Sequence, residues 1–341
     1  MPPFRRGWVL IVAACLAAGV SCVTVQPLPT PATPVEARME EDLVYLASPE
    51  LAGRLTGTPG NDSAAAFIER RYSQLGLKAG FSGASCGTNS CGAGFVQVFR
   101  IGAFQREDVD VPISDRTQNV AAIVTGTDTA LNHEYIVVGA HYDHIGRSNA
   151  LARGFSNPGV IHPGADDNAS GTTAILELAR RFADRPARRS VLIVSFSAEE
   201  LGLIGSEMFL RNIPVPLDSI VTMVNLDMVG RLRDNRMILF AAKDHTRFGF
   251  VADSVNRLSP ALELRFSWRS GTEELSDHAT FARAHVPVLG LFTDYHPDYH
   301  ASGDVASRIN YHGLERVVDF TERFVRAIAD SNDSLIRRDQ H

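Results

Sequence analysis

Residues 135–146 read YIVVGAHYDHIG and join an apolar segment to a polar cluster at its end. The first part is short and rich in β-branched residues, which is typical of a strand buried on both faces of a sheet. His141, Asp143 and His144 follow it directly. In sheets of parallel strands, functional groups collect just past the carboxyl ends of the strands. The segment therefore predicts an α/β fold with a site at one edge of its sheet.

Four further polar clusters fall close to predicted strands or helices in the same way. They are Asp166 and Asp167 in PGADDNASG (163–171), Glu199 and Glu200 after SVLIVSFSA (190–198), Asp227 after IVTMVNL (220–226), and His300 shortly after VLGLF (288–292). Mixed imidazole and carboxylate ligands suit zinc, with manganese or cobalt as substitutes. A carboxylate that bridges two ions can hold them roughly 3.5–4 Å apart.

Helical and strand patterns alternate along the rest of the chain. The spacing of apolar residues predicts helices at 36–47, 61–75, 170–182, 205–211, 248–258, 277–284 and 311–329. Short apolar runs predict strands at 95–101, 120–125, 135–139, 190–196, 220–226, 237–240 and 287–292. With no repeat or linker inside 36–331, we expect one α/β domain with a mostly parallel, mixed sheet and helices on both faces. Residues 332–341 form a polar tail.

The overall composition excludes several classes of protein. The chain has 341 residues, of which 45% are hydrophobic and 21% charged, so it is neither disordered nor a disulfide-stapled miniprotein. Lys and Arg total 33 against 39 Asp and Glu, which gives a formal net charge of −6. A slightly acidic chain without a basic tract argues against nucleic acid as the main partner.

The start of the chain has the layout of a secretory signal. Arg5 and Arg6 precede an apolar stretch, residues 8–20, that is shorter than the roughly 20 residues of a membrane span. We expect residues 1–22 to be a signal peptide and the protein to be exported to the periplasm or cell envelope. The alternative is an uncleaved anchor helix.

The residues around Cys22 indicate a lipid anchor. Cys22 follows Gly-Val-Ser, which resembles a bacterial lipoprotein cleavage site except that Gly19 stands where leucine is usual. Residues 23–35 are rich in Pro and Thr and suit a semi-rigid linker. We therefore expect lipidation of Cys22 to be the only membrane attachment, with plain secretion as the alternative.

Cys86 and Cys91 lie in the Gly/Ser-rich stretch GFSGASCGTNSCGAG (80–94), which we interpret as a loop. Two cysteines this close in an exported protein indicate a small disulfide. Their spacing is not that of a zinc knuckle, and no second pair completes a tetrahedral cysteine site.

The chain resembles the M28 family of zinc aminopeptidases in six motifs that occur in order: GAHYDHIG, PGADDNASG, SFSAEELGLIGS, NLDMVG, SDHATF and DYHASGD. The resemblance covers most of 36–331 and implies a zinc-exopeptidase fold with two Zn²⁺. It implies that Asp167 bridges the ions and is followed by a cis peptide. It also implies that His141 and Asp227 hold one ion and that Glu200 and His300 hold the other.

The same resemblance implies roles for further residues. Glu199 is the expected general base, Asp143 orients His141, and Tyr299 steadies the oxyanion. Water shared by two zinc ions becomes a nucleophile near neutral pH, and Glu199 passes its proton to the departing amine. Asp304 and Asp277 are expected to support the site from behind the ligands.

The other histidines are interpreted as surface or hydrogen-bonding residues rather than ligands. They are His144, His162, His278, His285 and His296.

The expected reaction is removal of N-terminal residues from peptides with a free N-terminus. Three alternatives stay open: a single-zinc glutaminyl-peptide cyclotransferase, a carboxypeptidase, and a non-catalytic scaffold. A carboxypeptidase would need a positive pocket, for which Arg231, Arg233 and Arg269 are candidates. The residues expected near a substrate pocket are Phe155, Trp268, Phe292 and Tyr295.

Overall fold

A computed structural model describes residues 28, 30–86, 89–101, 113–147, 159–241, 245–270, 273 and 275–332, with backbone only for 82–86 and 245–247. The predicted signal peptide with Cys22, part of the linker, Phe155 and nearly all of the polar tail lie outside these residues. Within them, no helix is both long enough and apolar enough to cross a bilayer.

The described chain alternates between helices and strands. The helices are α1 (Pro34–Leu46), α2 (Pro59–Gln74), α3 (Gly171–Asp184), α4 (Ile204–Arg211), α5 (His245–Arg257), α6 (His278–Arg283) and α7 (Tyr311–Ala329). The strands are β1 (Lys78–Ala79), β2 (Phe81–Cys86), β3 (Ser90–Gly94), β4 (Val96–Arg100), β5 (Arg116–Val124), β6 (Tyr135–His141), β7 (Ser190–Phe196), β8 (Ile220–Leu226), β9 (Arg236–Ala241), β10 (Arg265–Ser270) and β11 (Val288–Phe292).

The described strands form one mixed sheet in the order β10-β9-β11-β8-β6-β7-β5-β4-β3-β2, with β1 paired to β5. Strands β11, β8, β6 and β7 are parallel neighbours at its centre. Antiparallel pairs flank this centre on both sides, at β9 with β11 and at β5 with β7. The predicted single α/β domain with a mixed sheet is therefore confirmed, and its parallel part is concentrated in the middle.

Alternate residues of the central strands pack into two apolar layers. Ile136 and Val138 of β6 join the layer that contains α1, α2, α3 and α7, whereas Val137 faces the layer with Phe209 of α4 and Phe281 of α6. A strand covered on both faces needs apolar residues at every position, which explains the continuous runs in the sequence. The two layers hold the sheet rigid beneath its carboxyl edge.

Two segments differ from the sequence prediction. The Gly/Ser-rich stretch 80–94 is not a loop, because β2 and β3 pair within it as an antiparallel hairpin. Residues 265–270 form β10, which pairs in parallel with β9 at the edge of the sheet. Both segments lack a run of β-branched residues, so their extended form comes from pairing with a neighbouring strand rather than from local preference.

The hairpin places Cys86 opposite Cys91. This register suits the predicted disulfide. The side chain of Cys86 is outside the described part of the chain, so the disulfide stays a prediction.

Candidate metal centre

The predicted ligands meet at the carboxyl edge of the four central parallel strands. His141 ends β6, Glu200 lies four residues beyond β7, Asp227 directly follows β8, and His300 lies in the turn after β11. Asp167 belongs to an irregular turn, Ala165–Ser170, that leads into α3, and its peptide bond to Asn168 is cis, as the resemblance implied. The topology thus brings together all five residues from distant parts of the chain.

The two carboxylate oxygens of Asp167 point to two different groups of side chains. Its Oδ1 lies 3.4 Å from Nε2 of His141, which lies 3.4 Å from Oδ1 of Asp227. Its Oδ2 lies 3.1 Å from Nε2 of His300, which lies 3.2 Å from Oε2 of Glu200. Around a tetrahedral zinc ion with bonds of about 2.0–2.1 Å, neighbouring ligand atoms are roughly 3.3 Å apart. The spacing therefore fits one zinc ion on each side of Asp167.

His144 belongs to this centre, although the sequence analysis left it outside the ligand set. It is fully buried, and its Nδ1 lies 2.8 Å from Oε1 of Glu200 and 3.7 Å from Oδ2 of Asp167. With His300 these residues form one candidate metal group, while His141, Glu199 and Asp227 form another. Its position three residues after His141 was the available signal, but sequence alone does not tell a ligand from a hydrogen-bonding neighbour.

Buried polar atoms at the centre are arranged to face a cation. Nδ1 of His141 lies 3.2 Å from the carbonyl oxygen of Asp143, which only accepts, so this nitrogen donates and Nε2 is the one that faces the carboxylates. Nε2 of His141 and Oδ1 of Asp227 have no hydrogen-bond partner among the described residues. An imidazole nitrogen that faces carboxylate oxygens is stable there only with a proton or a metal ion between them. The residues present therefore fit a bound metal.

The pKa values describe the same excess of negative charge. Burial would lower the pKa of His300, but hydrogen bonds to Asp167 and Glu200 raise it to about 11. Burial also opposes the shift of His141, whose pKa Glu199 and Asp227 nevertheless raise well above its usual value. Imidazoles that bind protons this tightly occupy a site that attracts cations.

Asp143 connects His141 to the loop after β7. It is fully buried, and its carboxylate accepts hydrogen bonds from Thr56 Oγ1 at 2.8 Å and from the backbone N–H groups of Glu199 and Glu200 at 3.2 and 3.4 Å. Its Oδ1 lies 3.6 Å from Nδ1 of His141, whose hydrogen bond goes to the backbone carbonyl of Asp143. The carboxylate therefore acts mainly on the glutamate loop, which the sequence did not reveal.

Asp304 supports Asp167 from below. Its Oδ2 accepts the backbone N–H groups of Asp166 and Asp167 at 2.9 and 3.0 Å, and its Oδ1 accepts Arg231 at 3.0 Å. Burial raises the pKa of Asp304. The sequence analysis expected this residue behind the ligands, and the structure places it under the turn that carries Asp167.

Asn168 is a further residue that the sequence did not single out. Its amide donates to the carbonyl oxygen of Leu226 at 3.0 Å, and its oxygen accepts the N–H of Met228 at 3.2 Å. These two residues bracket Asp227. Asn168 therefore joins the turn of one ligand, Asp167, to the strand end that carries another.

Asp277 and His278 lie behind the centre, both fully or almost fully buried. Burial raises the pKa of Asp277 to about 7, with Asp143 and Asp227 adding in the same direction and His141 opposing. Burial lowers the pKa of His278 to about 4, so this imidazole is neutral. Its ring stacks on Phe240 at 5.1 Å. Among the remaining histidines, His162 and His296 are buried and His285 is exposed.

A cleft opens over the centre. Its lining combines His141, Asp167, Glu199, Glu200 and Asp227 with apolar side chains. The apolar wall consists of Met228, Phe240, Leu275, Leu291, Phe292 and Tyr295. Phe292 and Tyr295 were expected near the pocket, whereas Trp268 is not among its described lining residues.

Glu199 and Tyr299 face this cleft. Burial raises the pKa of Glu199 well above its usual value, and Glu200 and Asp227 add to the rise while His141 opposes it. Burial also raises the pKa of Tyr299, so its phenol keeps its proton. The tyrosine ring stacks on His300 with centroids 4.0 Å apart. The cleft thus holds a buried carboxyl group with a raised pKa and a hydroxyl donor beside the predicted ligands.

The three arginines that were candidates for a positive pocket are engaged elsewhere. Arg231 donates to Asp304, Arg233 donates to the carbonyl oxygen of Tyr295, and Arg269 lies 4.0 Å from Glu273. Within the described part of the chain, the side chains that line the cleft include no Arg or Lys.

Comparisons with known proteins agree with this geometry. The model of Peptidase family M28 matches residues 119–325. The uncharacterized protein YfbL of Escherichia coli K12 is 25% identical over 244 residues, which are 62% of this chain and 71% of YfbL. Aminopeptidase YwaD of Bacillus subtilis 168 is 26% identical over 226 residues, which are 63% of this chain and 46% of YwaD. The chain thus spans less than half the length of YwaD.

Solved structures share the fold. A zinc aminopeptidase from Bacillus subtilis aligns with a TM-score of 0.63 and 18% identity, covering 90% of this chain and 98% of that one. A glutaminyl cyclase from Bacteroides thetaiotaomicron aligns with a TM-score of 0.65 and 16% identity, covering 85% and 97%. At these identities the likeness establishes the fold alone. Because the family model matches more than half of the chain, the chain belongs to peptidase family M28.

Proposed function

We propose that the protein is an aminopeptidase that binds two zinc ions and removes single residues from the free N-terminus of peptides. The observation that carries this proposal is that the two carboxylate oxygens of Asp167 face two different groups of ligand atoms. The distances of 3.1–3.4 Å match the separation of neighbouring ligand atoms around a tetrahedral zinc ion. A single-ion site would not need a carboxylate directed to both groups.

The chain's own residues supply positioning and proton transfer. Bound zinc would supply Lewis acidity that activates water and polarises the peptide carbonyl. Glu199 accepts the proton of the attacking water and passes it to the departing amine, for which its raised pKa suits it. Tyr299 donates its O–H to the oxygen on which negative charge develops. Asp143 holds the backbone of Glu199 and Glu200 in place.

The charge of the cleft favours the amino end of a peptide. The lining contains several carboxylates and, among the described residues, no Arg or Lys. A substrate ammonium group is attracted by such a lining, whereas a C-terminal carboxylate would be repelled unless a cation paired with it. The apolar wall then receives the first side chain of the substrate.

A panel of substrates tests the proposal directly. Leucyl-p-nitroanilide, an N-acetylated leucyl analogue, a peptide with a blocked N-terminus and a free C-terminus, and an N-terminal glutaminyl peptide are compared with and without chelator. We expect hydrolysis of leucyl-p-nitroanilide and of neither N-blocked substrate, loss of that activity after zinc removal, and its return with two equivalents of zinc. Release of C-terminal residues would indicate a carboxypeptidase, cyclisation of the glutaminyl peptide a cyclotransferase, and no turnover a scaffold.

We also propose that the protein is exported, with Cys22 lipidated and Cys86 joined to Cys91. The support is the sequence pattern at residues 1–35 and the register of β2 with β3. Membrane fractions of cells that express the wild type should contain the protein, and Cys22→Ala should release it. The protein is treated with iodoacetamide before and after reduction. Two further adducts after reduction, measured by mass spectrometry, would establish the disulfide.

A further inference from the structure

A fully buried arginine, Arg54, lies in the turn between Leu51 and α2, well before the residues that the family model matches. A buried guanidinium group is costly unless its donors are paired and its charge is compensated. Its partners therefore show where the residue acts.

The guanidinium group of Arg54 donates to four backbone carbonyl oxygens. The acceptors are Tyr142 at 2.7 Å from Nε, Pro163 at 2.7 Å from Nη1, Gly164 at 2.9 Å from Nη2, and Leu46. Tyr142 directly follows His141, and Gly164 lies three residues before Asp167. One rigid, planar side chain thus fastens together the two backbones that carry these ligands.

The charge of Arg54 is compensated from the metal centre. Burial lowers its pKa to about 10, while Asp167, Asp143, Asp304 and Glu200 oppose that shift, so the group is positive at neutral pH. The attraction is mutual, because a cation that these carboxylates stabilise also favours their ionised forms.

The turn around Arg54 is built against the same loop. The carbonyl oxygen of Arg54 accepts the N–H of His144 at 3.2 Å, and Gly146 donates to the carbonyl oxygen of Gly53 at 3.0 Å. Gly53 has φ +77°, and a Cβ there would lie 2.5 Å from the carbonyl oxygens of Gly146 and His162. Only glycine fits this close approach, so Arg54 is presented to the centre in a fixed position.

We propose that Arg54 is a positioning residue whose guanidinium group holds His141 and Asp167 at the spacing that zinc requires. The inference rests on the proposed zinc chemistry of the centre. It goes beyond that chemistry because it assigns a role to a residue that acts on backbone rather than on a ligand side chain.

Zinc affinity provides a test that does not depend on activity. Dissociation constants are measured by competition with a chromophoric chelator for the wild type, Arg54→Ala, Arg54→Lys and the control Arg189→Ala. Arg189 is also almost fully buried and also donates to backbone carbonyl oxygens, those of Ile328 and Ser331, but it precedes the amino end of β7. Arg54→Ala should bind zinc at least about tenfold more weakly, a typical effect of losing support behind a ligand.

The other variants separate positioning from charge and from stability. Arg54→Lys restores a charge without the planar fork, so its affinity should lie between those of Arg54→Ala and the wild type. Millimolar guanidinium should partly restore zinc binding by Arg54→Ala, and Arg189→Ala should bind zinc like the wild type.

The inference would be overturned by wild-type zinc affinity in Arg54→Ala or Arg54→Lys, or by an equal weakening in Arg189→Ala. Failure of the wild type to bind zinc would instead overturn the proposed function. If Arg54→Ala does not fold, the lysine variant decides.

Discussion

Replacing Glu199 with glutamine separates the two roles that its position allows, which are metal ligand and general base. Its Oε2 lies 3.9 Å from Nε2 of His141, farther than the 3.4 Å that separates this nitrogen from Asp167 and from Asp227. Neighbouring ligand atoms of a tetrahedral zinc ion are only about 3.3 Å apart. Glu199 thus lies slightly farther from His141 than the two carboxylates predicted to be ligands. Glutamine keeps its shape but accepts no proton, so we expect Glu199→Gln to retain zinc and lose turnover.

The size of the loss follows from the surroundings of the carboxylate. General bases contribute about 10²–10⁴ in rate, which corresponds to roughly 3–5 kcal/mol. Burial first, and then Glu200 and Asp227, raise the pKa of Glu199 above its usual value, as is common for carboxylates that move protons in active sites. We therefore expect kcat to fall by about 10²–10⁴. KM should change by no more than about threefold, since the side chain keeps its size.

Steady-state kinetics with leucyl-p-nitroanilide and elemental analysis of bound zinc measure the two effects in the same preparation. Glu207→Gln is the matched control, because Glu207 lies on α4 with a 41% exposed side chain and pairs with Arg211 and Arg283. It should leave both quantities unchanged. Loss of one zinc equivalent in Glu199→Gln would make Glu199 a ligand, and a kcat within tenfold of the wild type would refute its role as the base.

Three further changes probe other parts of the site. Asp167→Ala should reduce bound zinc from about two equivalents to less than one, because one side chain serves both ions; an unchanged zinc content by elemental analysis would remove Asp167 from the ligand set. Gly290→Ala adds a methyl group 3.2 Å from His278 and Phe240 at the cleft, so kcat/KM should fall about tenfold or more for leucyl substrates and less for alanyl ones, and equal losses would contradict a pocket role. The pKa of Asp277 is about 7 in the folded protein, against 3.8 for an unperturbed aspartate, because burial disfavours the ionised form. The stability that the fold has while Asp277 is protonated, below its unfolded pKa, is therefore lost as pH rises through 7. Urea unfolding of chelator-treated Asp277→Asn should therefore show a gain over the wild type of up to about 4 kcal/mol above pH 8 and little at pH 4, and a gain independent of pH would argue against a buried acid.

The centre of the fold is readable from the sequence because burial dictates which residues are apolar there. Strands β7 and β8 and helix α7 have the predicted bounds, since their apolar residues are dictated by burial on two faces or on one stripe. Strand β10 was missed because its sequence, RFSWRS, lies at a sheet edge where only one neighbour is paired and most side chains are exposed. Its conformation is set by β9 rather than by its own residues.

Four of the candidate ligands were also readable, because each follows a strand whose direction fixes the edge it reaches, whereas Asp167 belongs to the turn before α3. The residues that hold those ligands were less accessible to sequence reasoning. Thr56 bonds Asp143 across 87 positions, and Arg54 bonds Tyr142 across 88. No local period relates such pairs, and an arginine or threonine in a Gly-rich turn has no pattern of its own. Only the folded backbone shows that they converge on the centre.

The distribution of charge gives a separate reason to expect two ions. Five buried or half-buried carboxylates surround the centre: Asp143, Asp167, Glu199, Glu200 and Asp227. Asp304 is paired separately with Arg231, and Asp166 accepts the backbone N–H of Gly230. Asp277 is a further buried acid behind them. Arg54 supplies one positive charge, and two divalent ions would supply four, against five charges on these carboxylates when all are ionised. With a single ion, two negative charges would stay uncompensated away from water, at a cost of several kcal/mol. The charge balance and the two directions in which the oxygens of Asp167 point therefore both support the proposed pair of ions.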